Sequence, residues 1–146
     1  SISGYFDHRR NAQFMRELES DFAESVLRLA AFGHNERSRT KYLENGSGIE
    51  TARRRLRALD PRPLIDCWAS LTAADYRDVL KTIAIPALLV YGGASNFYST
   101  GTAEYVRDSI PNALLQVYEG VDHAPHLWER ARFIQDVLDF IAQPPA

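Results

Sequence analysis

The chain has 146 residues, enough for one domain with a core of its own. Its 17 basic and 19 acidic side chains leave a formal net charge of −2, which excludes a general electrostatic footprint for nucleic acid or an anionic membrane. No window approaches the ~18 apolar residues of a membrane span, and the single cysteine, Cys67, excludes an intrachain disulfide and points to a reducing, cytoplasmic setting.

Residues 1–82 read as helices throughout. Phe14, Met15, Leu18, Phe22, Val26, Leu27 and Leu29 recur at helical spacing, and Gly33 supplies a stop. Asn35 is placed to cap a second helix, which ends at the turn chemistry of Asn45-Gly46-Ser47-Gly48. A third helix is expected over Ile49 to Leu59, and Pro61 and Pro63 break it. A fourth spans Leu64 to Ser70, and Thr72 is the expected N-cap of a fifth that runs through Leu80. Cys67, beside Trp68 in an apolar stretch, reads as a buried inert thiol. The run Arg53, Arg54, Arg55 and Arg57, with Arg62 nearby, reads as a solvated helix face rather than a phosphate site.

From residue 83 the pattern changes. Ile85-Pro86-Ala87-Leu88-Leu89-Val90-Tyr91 is a short apolar run ending at Gly92-Gly93, a strand buried on both faces, with Pro86 at its entry where a missing N–H is tolerated. A helix over Thr102 to Ser109 follows, closed by Pro111, and Ala113 to Tyr118 is a second apolar strand. Leu127 to Ala142 carries Phe133, Ile134, Val137, Leu138, Phe140 and Ile141 on one long closing helix. The β-α-β-α order predicts a parallel sheet with helical crossovers, an α/β class. Two such strands do not make a sheet by themselves, because their edges expose unpaired backbone groups. The neighbouring strands are expected from an N-terminal segment or a companion chain. The opening Ser1-Ile2-Ser3-Gly4-Tyr5-Phe6 has neither an initiator Met nor the pattern of a signal peptide, and it reads as the middle of a longer product.

Ligands of open α/β sheets bind beyond the carboxyl ends of the strands. Two loops lie there: Gly92-Gly93-Ala94-Ser95-Asn96-Phe97-Tyr98-Ser99, and Glu119-Gly120-Val121-Asp122-His123-Ala124-Pro125-His126-Leu127-Trp128. The second loop, between a strand and an amphipathic helix and running on into Glu129-Arg130, resembles the histidine loop of the α/β-hydrolase fold. Ile83 to Gly92 is similar to that family's penultimate strand, and Asp75, Arg77 and Leu80 to the helix before it. The likeness covers about residues 72–143, and residues 1–71 fit more loosely, as a helical lid. The expected division is a lid over 1–71 and the C-terminal part of the hydrolase core over 72–146.

The resemblance implies that His123 is the general base, taking a proton from a nucleophile and returning it to the leaving group. An imidazole suits both steps because its pKa lies near working pH. His126 is the rival, expected to pack near the mouth of the site; His34 reads as a helix-end or lid contact and His8 as solvated. These histidines lack metal-ligand spacing, and neither a metal nor a cofactor is expected. The family places an aspartate where this chain has Ser95, which carries no charge. Three explanations stay open: an acid after an earlier strand (upstream of Ser1, or Asp7), a contribution from Asp122, or a weak or inactive enzyme, and the first is preferred. Ser95 also sits in Gly93-Ala94-Ser95-Asn96-Phe97, which has Phe97 where a nucleophile elbow needs Gly, so a turn or substrate-side role is assigned to it instead. The fold's order of nucleophile, acid and histidine then puts the nucleophile before Ser1. Tyr98 and Trp128 are the expected substrate-facing residues; Phe14, Phe22, Phe32 and Trp68 are lining candidates that serve equally as core.

The activity implied is hydrolysis of small apolar esters or lactones. The alternatives are a cofactor-free oxygenase or C–C-bond enzyme of the same fold, and a noncatalytic ligand-binding module.

Overall fold

The computed structural model describes residues 8–142, so Asp7 lies outside the described residues, as does the side chain of His8. The chain divides into two compact units between Ala74 and Asp75.

The first unit is helical: α1 (His8–Ser20), α2 (Phe22–Gly33), α3 (Glu36–Glu44), α4 (Gly46–Arg57) and α5 (Arg62–Ala73). The single long helix expected through Phe14 and Leu29 is in fact two. Asp21 leaves helical geometry at φ −150° and its side chain accepts the Glu24 N–H, capping a new helix. Apolar spacing runs on across the break, which is why periodicity concealed it. Phe14, Leu18 and Ile65 form the core of this unit, with Met15, Phe22, Val26, Leu29 and Trp68 packed against them. Three of the aromatic lining candidates therefore serve as core. Asn11 ties α1 to α5: Trp68 Nε1–H donates to Asn11 Oδ1 at 3.0 Å, and Asn11 Nδ2–H donates to Thr72 Oγ1 at 3.1 Å.

Four expectations for this unit need correction. Thr72 caps nothing: it lies inside α5, its hydroxyl donating to the Trp68 carbonyl at 3.0 Å. Cys67 is exposed, because Ile65 and Trp68 take the inner side of α5 and the two residues between them, Asp66 and Cys67, point away. Ser47 belongs to the first turn of α4, which Asn45 caps, rather than to a loop. The arginine run is only partly solvated: Arg53 pairs with both Glu24 and Glu50 and Arg57 with Glu24, while Arg54 and Arg55 stay exposed.

The second unit runs α6 (Arg77–Leu80), β1 (Ala87–Gly92), α7 (Thr100–Ser109), β2 (Ala113–Tyr118), α8 (Pro125–Trp128) and α9 (Arg130–Ile141). Tyr76, not Thr72, precedes α6, and Asp75 serves it by accepting the Arg77 N–H at 3.1 Å. The strands pair in parallel, Ala87 opposite Ala113 through Gly92 opposite Tyr118. Among the described residues they make a two-stranded sheet, and they are not buried on both faces: Leu114 is 44% exposed. The expected closing helix breaks at Glu129 (φ −119°, ψ 47°) into α8, opened by Pro125, and α9.

α9 is held on β2 by one buried tyrosine. Tyr118 has no exposed surface, its hydroxyl donates to Asp136 Oδ2 at 2.5 Å, and the Arg132 guanidinium stacks 3.8 Å from its ring centroid. Phe133, Val137 and Phe140 form the covered stripe of α9, whereas Ile134, Leu138 and Ile141 form a second apolar stripe that is exposed. No helix among the described residues is long and apolar enough to cross a membrane.

Candidate active site

Parallel pairing places the carboxyl ends of β1 and β2 side by side, so the two loops leave the sheet as neighbours. Backbone bonds then lock them together. Gly93 N–H donates to the Tyr118 carbonyl at 2.9 Å, and Ala94 N–H to the Val121 carbonyl at 2.8 Å. This clamp needs a residue without a side chain at 92, where a Cβ would stand 1.7 Å from the Asp122 carbonyl oxygen. Gly120, at φ +71°, supplies the turn that starts the second loop.

The clamp brings Ser95 to His123. Ser95 Oγ lies 3.2 Å from His123 Nδ1, and it also accepts the Phe97 N–H at 3.3 Å. Ser95 is fixed in turn by its own N–H, which donates to the Gly92 carbonyl at 3.0 Å. Two rings crowd the imidazole: Phe97 edge-on at 4.6 Å between centroids and Tyr98 at 5.6 Å. His123 keeps an exposed edge, yet this crowding desolvates it enough to hold its pKa below the ordinary value. Asp122 opposes that shift with its charge, and His126 reinforces it. Burial pushes the Tyr98 phenol up, and also the Tyr91 phenol, where the neighbouring Ser95 hydroxyl partly offsets the effect.

Asp122 is buried at 1% exposure, and its Oδ1 accepts the Ala124 N–H at 2.9 Å. Its carboxylate thereby holds the loop in shape just before α8. His126 lies on α8 with its ring 6.1 Å from that of Phe133. Trp128 is half-buried at the end of the same helix. His34 stands at the end of α2, its ring 4.7 Å from Tyr42. Sequence reasoning noted Ser95 as a departure from the expected acid and gave it a turn or substrate-side role; that it meets Nδ1 of the histidine, and that Phe97 joins them, was not read. Among the described residues no cluster of three or more His, Cys, Asp or Glu could hold a metal ion.

No family model matches the chain. Solved structures do. A hydrolase from Oleispira antarctica superposes with a TM-score of 0.77 at 20% identity, covering 97% of this chain and 50% of its own. A bromoperoxidase from Bacillus anthracis gives 0.80 at 18% identity, with 94% and 50% covered. The fold is that of the C-terminal part of an α/β-hydrolase. An esterase from Exiguobacterium antarcticum shares it too, at a TM-score of 0.73 and 16% identity over 92% of this chain and 48% of its own. Among curated proteins, a pimeloyl-[acyl-carrier protein] methyl ester esterase from Aliivibrio fischeri (strain MJ11) is 23% identical over 90% of this chain and 51% of its own length. A second such esterase, from Neisseria meningitidis serogroup B / serotype 15 (strain H44/76), is 31% identical over 56% of this chain and 31% of its own. The chain thus spans about half or less of the relatives it matches. β1, β2 and the two loops that follow them therefore lie in the C-terminal part of that fold.

Proposed function

We propose that the chain supplies the histidine half of a carboxylic ester hydrolase, with His123 as general base. The observation that carries this reading is the engagement of His123 Nδ1 by Ser95 at 3.2 Å, at the carboxyl ends of two clamped parallel strands. With Nδ1 occupied, Nε2 is the nitrogen left to work on a reacting hydroxyl. Its lone pair takes the nucleophile's proton as the oxygen adds to the ester carbonyl; the resulting imidazolium protonates the departing alkoxide. Water then repeats the sequence on the acyl-enzyme, and His123 ends neutral.

The nucleophile and the oxyanion donors belong either to residues upstream of Ser1 or to a companion chain that completes the sheet. The second apolar stripe of α9, Ile134, Leu138 and Ile141, supports this, since it is a face waiting for cover. Residues 1–71 act as lid, and Tyr98 and Trp128 face the substrate. The substrate class is a small ester with an apolar acyl chain. The esterase names of the curated relatives favour ester hydrolysis over cofactor-free oxygenation and over noncatalytic binding. Lactones remain within the class, as an N-acyl homoserine lactone degrading enzyme shares the fold at a TM-score of 0.68. The single cysteine favours a cytoplasmic setting.

The test is p-nitrophenyl ester hydrolysis by the full-length protein and by its His123→Ala variant. Equal turnover in the two would remove His123 from the mechanism.

A further inference from the structure

The hydrolase reading requires a neutral imidazole with its lone pair on Nε2, and that state has to be imposed by whatever touches Nδ1. The group that touches it here is a serine hydroxyl, where the α/β-hydrolase pattern has a carboxylate. We propose that Ser95 is the positioning residue of His123, its hydroxyl fixing the imidazole with the proton on Nδ1 and the lone pair on Nε2. The inference rests on the proposed function for its purpose, although not for its geometry.

Hydrogen-bond accounting supports the direction. A hydroxyl offers one proton and two acceptor sites. Phe97 N–H fills one acceptor site of Ser95 at 3.3 Å. The second is open to His123 Nδ1–H at 3.2 Å. The Tyr91 phenol oxygen nearby is buried without a hydrogen-bond partner, so the Ser95 proton is not committed to it. The reverse arrangement, with Ser95 donating to Nδ1, would put the imidazole proton on Nε2 and leave nothing to accept a proton from a nucleophile.

Ser95 is also built in place. Its N–H is bound to the Gly92 carbonyl, the next residue back is bound to Val121, and a Cβ at Gly92 is forbidden. The two loops cannot slide apart without breaking these bonds. Held between them, the Ser95 hydroxyl is placed against the histidine ring.

A neutral partner orients without compensating charge, so the imidazolium formed during turnover is stabilised less than it would be by an ion pair. The charged and titratable groups around His123 are Asp122 beside it in the chain, His126 on α8, and Tyr98 and Tyr91 from the first loop and β1. Of these only Asp122 favours the charged imidazole.

The experiment is 15N NMR of the imidazole in the full-length protein across pH, alongside ester kinetics, for the wild type, Ser95→Ala, Ser95→Thr and Ser95→Asp. The wild type shows the Nδ1–H form of neutral His123, Ser95→Thr keeps it, and Ser95→Ala shows both forms. In Ser95→Ala kcat falls about tenfold at little-changed KM, the weight of one hydrogen bond, and Thr restores it. Ser95→Asp raises the His123 pKa by about one unit or more, since an opposite charge now sits at Nδ1. An unchanged tautomer in Ser95→Ala, or an unchanged pKa in Ser95→Asp, would overturn the proposal and mean that another group holds Nδ1. A wild type that hydrolyses no ester would sink the hydrolase reading, yet the NMR result would still decide the role of Ser95.

Discussion

Gly92 and Asp122 meet backbone to backbone, at a distance that leaves no room for a methyl group: a Cβ at Gly92 would fall 1.7 Å from the Asp122 carbonyl oxygen and 2.8 Å from that of Val121. The obstacle is backbone at the base of the loop that carries His123, so no side chain can swing away to relieve it. Gly92→Ala is therefore expected to cost about 3 kcal/mol or more of folding free energy, at the upper end of overpacking penalties. Urea unfolding of the full-length protein measures it. Gly101→Ala is the control: the nearest atom to its Cβ is a serine hydroxyl at 3.7 Å, and its midpoint should stay close to that of the wild type.

The pH behaviour of His123 follows from the aromatic crowding around it. Phe97 and Tyr98 desolvate the ring and hold its pKa below the ordinary 6.5. A lowered pKa means that the base stays neutral to a lower pH. The acid limb of kcat/KM should accordingly have its midpoint below 6.5. Replacing Phe97 by Ala opens the ring to water and moves that midpoint upward, whereas His123→Ala lowers kcat by about a thousandfold at every pH. An acid limb that ignores Phe97→Ala would assign the titration to another group.

How much of this was legible in the sequence depends on the range over which each feature is encoded. β2 falls on the residues read from its apolar run, and β1 begins one residue past Pro86, because strand period and proline chemistry are local. The break at Asp21 is local as well, but it is written in capping residues, Asp21 and Glu24, that an apolar period running straight through them conceals. Cys67 was misplaced because an apolar neighbourhood in sequence does not say which side of a helix a residue takes. The meeting of Ser95 with His123 is a different matter. The two residues are 28 apart, and their approach depends on the strand register and on two backbone bonds between loops. The sequence identified the loops by their place after the strands, and it marked Ser95 as standing where an acid was expected. Only three-dimensional register shows that it reaches the same nitrogen.

Asn11 is the polar pin of the helical unit. It receives the Trp68 indole N–H and gives its own N–H to Thr72, so both of its hydrogen bonds run from α1 to α5. In Asn11→Ala the half-buried indole N–H loses its acceptor, with an expected cost of about 1–2 kcal/mol. Trp68 fluorescence reads the change directly, with a red-shifted emission as water replaces the amide. Asn11→Asp keeps the acceptor for Trp68 and should recover most of the stability.

Tyr118 gives the last prediction, and its sign differs from that of the histidine. The phenol is wholly buried and donates to the Asp136 carboxylate, so ionisation would put two negative oxygens 2.5 Å apart without water. Its pKa is pushed up to about 12, burial being the largest cause and Asp136 the next, against an ordinary 10. As pH rises past 10 the unfolded chain loses this proton first, and the folded state, which must keep it, loses stability until about pH 12. Alkaline unfolding should therefore steepen through that interval. Tyr118→Phe is less stable at neutral pH, because Asp136 loses its donor and keeps only Arg132 at 3.7 Å, but its stability should be flatter between pH 10 and 12. Equal slopes in the two proteins would show that some other tyrosine or lysine governs the alkaline limb and that the Tyr118–Asp136 bond does not anchor α9.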